Sequence, residues 1–493
     1  MSLLFSLPTS PLRRRKGEKS SKYGGRSFAK GCRQALGCNL VQTLYRNLIG
    51  FILPWAFFSM MPWVGEQLFK KFILTLDEPD FDHPSFNPYH LLYFLVLPTS
   101  TLGGIGLFLF MNRKLPTTNN DALPSELGCL VVWRIVTRGT NQKALSETVD
   151  ACRREMKRTP LFPYLIEIVT EEGAYLDMLE GKGNNDLSII IVPASYQTSQ
   201  GSLFKARALH YALQASSVPN TAWLVHLDEE TQPTPSGVRG IAKMIAEEEA
   251  REDGRPRVGQ GAILYHRLMH KHLLLTFADM LRTGDDISRF YLQAFLGKPL
   301  FGMHGSFIVV RNDVEKAIGF DFGLIGSITE DAYWSLKFME KGYKLRWVDG
   351  YLSEQCNHSI GDFLKQRRRW IVGLSLIGFR APIQLRHRAA LLMASSFWVL
   401  SPLTYVSTII DMYNRVQLSE GMVMLKGVVF GYFTTVYFLG LSVNLIERKV
   451  PFLQRMFWYI VQFFSLPISV LLEATAIVYA LLSPDLGFHI VQK

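Results

Sequence analysis

The chain has 493 residues and a formal charge of +11, and 48% of its residues are hydrophobic. That length exceeds one small folding unit, and the apolar fraction, close to the soluble average, describes no single class because it is unevenly spread along the chain. Much of the positive charge sits in an N-terminal tail and in the run Arg367 to Arg369 beside an apolar segment, where it suits anionic lipid headgroups, so nucleic-acid binding is not needed to explain it.

The segment 1–46 carries Arg13, Arg14, Arg15, Lys16 and further basic residues against a single Glu18, and is expected to be disordered and cytosolic. No secretory leader is expected there, because Leu3 to Leu7 is too short and follows no basic region. Apolar runs at Asn47 to Val64 and Leu91 to Met111 are each long enough to cross a hydrocarbon core of about 30 Å. They define a two-helix unit over 47–111. The acidic loop between them and the basic flanks place the N-terminus and the following domain in the cytosol.

From 112 to 388 short apolar runs alternate with amphipathic ones, the pattern of an α/β layer with a mainly parallel sheet. Strands are expected at Leu130 to Val136, Leu165 to Val169, Ser188 to Val192, Trp223 to Leu227 and Gly259 to Leu264. Helices fall at Lys143 to Met156, Leu203 to Gln214 and Ser236 to Glu249, with Ser202 and Ser236 as candidate N-caps. Three more spans, Ala389 to Ile410, Gly427 to Ile446 and Phe457 to Leu482, make up the unit 389–482 and leave a short tail at 483–493. Glu473, inside the fifth span, is expected to face the helix bundle and a partner there. The five cysteines are scattered on the expected cytosolic side, which suits neither disulfides nor a zinc site.

Ligands of open α/β sheets gather where strands end. Asp228 and Glu230 alternate at such an exit and suit Mg²⁺ or Mn²⁺ shared with phosphate, although alone they serve equally as a solvated acidic turn. Asp331, at a helix start after Thr329 and Glu330, is placed either to favour the helix dipole or to act as a general base. Gln366 to Trp370 offers guanidinium groups for a diphosphate and an indole for a sugar ring; a basic stretch flanking a membrane is the plainer account.

In their order and spacing these elements resemble family 2 glycosyltransferases of GT-A fold, whose Asp-x-Asp, Thr-Glu-Asp and Gln-x-x-Arg-Trp elements look like Asp228-Glu229-Glu230, Thr329-Glu330-Asp331 and Gln366 to Trp370. Val136-Thr-Arg-Gly139, Leu203-Phe-Lys-Ala-Arg-Ala-Leu209, His226-Leu-Asp-Glu-Glu-Thr231 and Asp362 to Trp370 further resemble the egghead-type β-1,4-mannosyltransferases. The resemblance implies a membrane enzyme that inverts configuration, with GDP-mannose as donor, a glycolipid such as glucosylceramide as acceptor and a divalent cation as cofactor. It also implies a place in the endoplasmic reticulum or Golgi membrane with the catalytic domain in the cytosol.

Carried over by position, Asp228 and Glu230 hold the metal and Asp331 is the base. Arg138, Glu171, Lys205, Asp228 and Arg369 contact the donor, and Glu330, Gln366, Trp370 and His304 face the acceptor. The family's usual Pro-x-x-Asn-Glu start is missing, replaced by Arg134 to Gly139. A processive polysaccharide synthase uses the same motifs and is the competing reading; a non-catalytic membrane scaffold or transporter is another, opposed by the intact Asp228, Asp331 and Trp370.

Overall fold

A computed structural model describes residues 86–113, 127–174, 176, 185–252, 254–265, 272–414 and 416–485, together with residues 56, 59 and 60. The basic tail and nearly all of the expected first span, Asn47 to Val64, lie outside the described residues.

A 3-10 turn, Pro88–His90, leads into helix α1 (Leu91–Met111), which coincides with the expected second span. The α/β unit then runs β1 (Val131–Val136), α2 (Gln142–Arg158), β2 (Tyr164–Glu171), β3 (Leu187–Val192), α3 (Phe204–Ala215), β4 (Trp223–Asp228), β5 (Gln232–Pro233), α4 (Pro235–Glu249) and β6 (Val258–Tyr265). It continues through α5 (Leu273–Asp285), a π-helical turn (Asp286–Phe290), α6 (Tyr291–Phe295), β7 (Ile308–Arg311), α7 (Asn312–Ile318), α8 (Gly323–Ser327), α9 (Glu330–Glu340) and β8 (Leu345–Glu354). Helix α10 (Ile360–Arg380) leads to α11 (Leu385–Tyr413), α12 (Glu420–Glu447) and α13 (Phe452–Leu482).

The eight strands form one sheet in the order β3-β2-β1-β4-β7-β6-β8-β5. Neighbours β3-β2, β2-β1, β1-β4 and β6-β8 are parallel, whereas β7 runs antiparallel to both β4 and β6, and β5 antiparallel to β8. All five expected strands and three expected helices are present. Strands β1 and β4 are apolar almost throughout because helices cover both faces of a parallel sheet.

The exception in β1 is Arg134, fully buried and in register with Glu167 of β2 and His226 of β4. Its guanidinium bonds Glu167 at 2.6 Å and Glu315 at 2.5 Å, and Glu315 also takes His226, so the charge is neutralised beneath the site rather than offered to a ligand.

Both expected N-caps are corrected. Ser202 Oγ accepts from Phe322 N at 2.6 Å and Gly323 N at 2.9 Å, tying the entry of α3 to a distant loop, and Leu203 is the cap residue. Ser236 lies inside α4, whose cap is Thr234, with Pro235 at the first helical position and Thr234 Oγ1 accepting from Gly237 N at 3.1 Å.

Among the described residues four helices, Pro88–Met111, Leu385–Tyr413, Glu420–Glu447 and Phe452–Leu482, are long and apolar enough to cross a membrane. Pro98, Pro402 and Pro467 stand inside them, as spans allow. The α/β unit is fused to this bundle. One core cluster runs from Trp133, Val225 and Leu227 of the sheet through Phe277 and Met280 of α5 to Tyr437, Leu441 and Leu466 of the spans. Helices α5 and α12 touch backbone to backbone: a Cβ on Gly284 would collide with the Val436 carbonyl oxygen, and one on Gly440 with the Met280 carbonyl oxygen.

Candidate active site

The carboxyl ends of β1, β2 and β4 open into a cavity of about 340 Å³. Asp228 ends β4, and the turn after it carries Glu229 and Glu230 before β5 pairs with β8, Gln232 opposite Ser353 and Pro233 opposite Leu352. That pairing brings the last residue of β8, Glu354, next to the turn. Asp228, Glu230 and Glu354 place one oxygen each within 4.8 Å of one another. Three carboxylates so close repel unless a cation sits among them, and an all-oxygen set suits a hard divalent ion. Glu354 is 1% exposed and is fixed by Ser306 Oγ, which donates to Oε1 at 2.6 Å, and by Arg282 at 3.5 Å from Oε2. Glu229 is turned to another task, accepting from Thr137 Oγ1 and Asn141 Nδ2, which hold the loop after β1.

Helix α9 opens with Glu330 and Asp331, and both line the same cavity. Asp331 Oδ1 accepts from Ala332 N at 2.7 Å. Lys205, from the first turn of α3, lies 2.6 Å from Asp228 Oδ1 and 3.6 Å from Glu330 Oε1. Burial disfavours the Lys205 ammonium, but Asp228, Glu330 and Asp331 outweigh it and hold the group protonated above its ordinary range. Burial likewise lifts the two acids: Glu330 is pushed up to about 7, against the pull of Lys205, and Asp331 is raised from its usual value. Gly305 makes room for this packing, since a methyl there would lie 3.0 Å from Lys205 Nζ and 3.3 Å from Asp331 Oδ2.

At the outer rim Arg138 lies 3.4 Å from Glu171 Oε2, and Arg207 donates to Glu171 Oε1 at 3.2 Å. Phe204 beside them has φ of 53°, a left-handed conformation rare for an aromatic residue, at the cavity wall.

On the membrane side, helix α10 presents the arginine run, and its three members separate. Arg367 is buried and committed to Asp279 at 2.8 Å and Glu473 at 2.9 Å, Arg368 turns to Tyr479 Oη and Asp485, and Arg369 lines the cavity. Gln366 Oε1 accepts from Asn357 and Arg367. Trp370 lies under Arg367 at 4.6 Å and Arg282 at 4.9 Å, with the Trp398 ring centroid 6.4 Å away. His304 is pinned between Ser306 O at 2.8 Å and Asp286 Oδ1 at 3.1 Å. Burial disfavours its charged form, yet Asp286 raises its pKa above the ordinary value. Glu473 faces the bundle, as expected of an ionisable residue within a span.

All the residues singled out from the sequence, Asp228, Glu230, Asp331, Arg138, Glu171, Lys205, Arg369, Glu330, Gln366, Trp370 and His304, line this one cavity. Glu354 and Arg282 were missed. An acid at the end of an apolar run was the available signal for Glu354, but Asp349-Gly350 interrupts that run and hides the strand.

A mainly parallel sheet with an acidic cluster at its central exit, fused to membrane-crossing helices, defines a GT-A-like, membrane-embedded glycosyltransferase. The chain belongs to glycosyl transferase family group 2, whose family model matches residues 223–470. It is similar to the β-1,4-mannosyltransferase bre-3 of Caenorhabditis elegans, 29% identical over 405 residues, covering 81% of this chain and 86% of that one. It is also similar to the β-1,4-mannosyltransferase egh of Drosophila melanogaster, 29% identical over 370 residues, covering 74% and 79%. Among solved structures, the mannosyltransferase PcManGT of Pyrobaculum calidifontis in complex with GDP-Man and Mn²⁺ aligns with a TM-score of 0.37 and 10% identity, covering 71% of this chain and 99% of that one.

Proposed function

We propose that the protein is a β-1,4-mannosyltransferase that moves mannose from GDP-mannose to a membrane glycolipid such as glucosylceramide. The observation that carries the reading is one cavity joining the three strand-exit carboxylates and Asp331 to the membrane helices. Both similar proteins named as β-1,4-mannosyltransferases support the choice of sugar and linkage.

In this reading the transferase domain spans 112–388, faces the cytosol of an endoplasmic reticulum or Golgi membrane, and lies between spans in 47–111 and 389–482. Asp228, Glu230 and Glu354 hold Mn²⁺ or Mg²⁺, which supplies Lewis acidity and positive charge at the donor diphosphate. Lys205 and Arg369 add fixed positive charge for the leaving group, and Arg138 with Glu171 meets the nucleoside end. Gln366, Trp370, Glu330 and His304 orient the acceptor sugar. Asp331 takes the proton from the acceptor hydroxyl as its oxygen attacks the anomeric carbon. A single displacement inverts that carbon, so an α-linked donor gives a β-glycoside.

The test is to incubate membranes containing the protein with a panel of labelled sugar nucleotides and to extract the lipids. Label entering a glycolipid from GDP-mannose, with divalent cation present, is the expected result. Label from a different nucleotide, or in a high-molecular-weight polymer, overturns the reading.

A further inference from the structure

Where the transferase domain meets the bundle, large apolar side chains face outward. Phe295 and Leu296, at and just after the end of α6, are 62% and 50% exposed, and Phe379 and Leu385, at the end of α10 and the start of α11, are 71% and 70% exposed. Their neighbours on the same elements turn inward, Ala294, Ile377, Ala381 and Ile383 joining Leu391 in one core cluster. The four outward residues therefore rise from one packed unit.

Basic residues stand among them. Lys298, Arg380 and Arg386 are exposed, and Lys298, Arg386 and Glu340 are the charged neighbours of His387. Arg388 donates to Phe379 O at 2.9 Å and ties the start of α11 to the end of α10. The acid among them, Glu340, is taken up by other groups, Lys337 Nζ at 3.3 Å and Gln384 N at 2.8 Å. The surface keeps an excess of positive charge.

Two spans fix the level of this surface. Leu385 opens α11, which is long and apolar enough to cross a membrane, and Phe110, one residue from the end of α1, packs edge-on against Tyr291 of α6 with ring centroids 5.2 Å apart. Both spans meet the transferase domain here, so the surface lies at the membrane boundary. Phe and Leu side chains enter the acyl edge of a leaflet, while Lys and Arg reach its headgroups. A zwitterionic leaflet takes the apolar groups but leaves the extra charge unmatched. An anionic one matches both, at about fivefold in partition for each basic residue near the surface.

We infer that this surface docks on anionic lipid of the adjoining leaflet, and that the docking holds α10 in its working position. Helix α10 joins the two places. It lines the cavity with Gln366, Arg369 and Trp370, and Arg380 follows Trp370 after about 15 Å of helix. Between them a Cβ on Gly373 would collide with the Thr329 side chain, which immediately precedes Glu330 and Asp331. A shift of the Phe379 end is thus passed to the turn that carries the proposed base. The contact with lipid stands on its own, and its effect on rate rests on the transferase reading above.

The experiment uses the full chain in nanodiscs of phosphatidylcholine, alone and with increasing phosphatidylserine. Transfer of labelled mannose from GDP-mannose with Mn²⁺ is measured to a short-chain, water-soluble glucoside, so that lipid composition does not alter acceptor supply. Spin-labelled phosphatidylserine and phosphatidylcholine report lipid contact directly, through the motionally restricted fraction. The wild type is expected to transfer about fivefold or more faster with phosphatidylserine, and the gain to fade in about 1 M salt, where the Debye length is about 3 Å. Lys298→Gln, Arg380→Gln and Arg386→Gln together are expected to remove most of that gain and most of the preference for spin-labelled phosphatidylserine, with the rate in phosphatidylcholine near wild type. Lys449→Gln with Arg455→Gln removes two charges near the start of α13 and is expected to keep the gain. Equal wild-type rates in the two lipids, or a gain that the triple variant keeps or the control loses alike, overturns the link through α10. Equal contact of wild type and triple variant with spin-labelled phosphatidylserine overturns the docking surface itself. Absence of mannose transfer in every lipid overturns the proposed function and leaves the spin-label result to decide the docking.

Discussion

Asp331→Asn is expected to leave the protein folded and able to bind GDP while slowing transfer at least ~10²-fold. The Asn side-chain oxygen can keep the 2.7 Å bond from Ala332 N, so the first turn of α9 is preserved. Burial already disfavours the Asp331 charge, with Lys205 opposing that penalty, so a neutral amide of the same shape adds no new buried charge. What is lost is the proton acceptor. A positioned general base contributes about 10²–10⁴ in rate, or about 3–5 kcal/mol of barrier at about 1.36 kcal/mol per factor of ten. The assay is single-turnover transfer of labelled mannose to lipid, with thermal unfolding and GDP titration on the same preparation. A rate within about tenfold of wild type, with folding and GDP affinity intact, refutes the assignment and passes the role to another group, Glu330 being the nearest carboxylate in sequence.

The wild-type acid limb should reflect the same burial: the base works only when deprotonated, and Asp331 is raised while Glu330 is lifted to about 7, so activity should fall as pH drops through values above the ordinary carboxylate pKa of about 4. Glu330→Gln removes a neighbouring negative charge and should move that limb to lower pH; an unmoved limb contradicts the coupling. Glu354→Gln keeps the Ser306 bond but removes one of three charges, and it should weaken Mn²⁺-dependent GDP binding, as should Asp228→Ala with Glu230→Ala; calorimetric titration with and without Mn²⁺ checks both. Gly305→Ala pushes a methyl against Lys205 and Asp331 and should lower kcat about tenfold or more with little change in Tm, consistent with the sensitivity of catalysis to small displacements. Arg367→Leu strands Asp279 and Glu473 as unpaired buried carboxylates and should cost about 3–5 kcal/mol, seen as a lower Tm in detergent.

The strands around the site were legible because parallel strands buried on both faces read as short apolar runs, and the five expected ones fall within a residue or two of β1, β2, β3, β4 and β6. Asp228, Glu230 and Asp331 were legible for a local reason: each lies where such a run ends or a helix begins. The caps show where local reasoning fails. Ser202 has the right chemistry for its position, but a loop about 120 residues further along the chain supplies the better use of its hydroxyl, and Thr234 precedes a proline that fixes the start of α4.

By itself the sequence determined the α/β core, the apolar helices and the carboxylates at the strand exits, since periodicity and residue type are properties of neighbouring positions. Tertiary structure alone decided which distant groups share the site. Glu354 joins Asp228 and Glu230 only because a two-residue strand pairs antiparallel with β8. Arg367 and Glu473, 106 residues apart, meet only because α10 packs on α13, and a lone charge in a span announces that it needs a partner without naming one. Strand pairing and helix packing are chosen by burial over the whole core, which no single stretch of chain encodes.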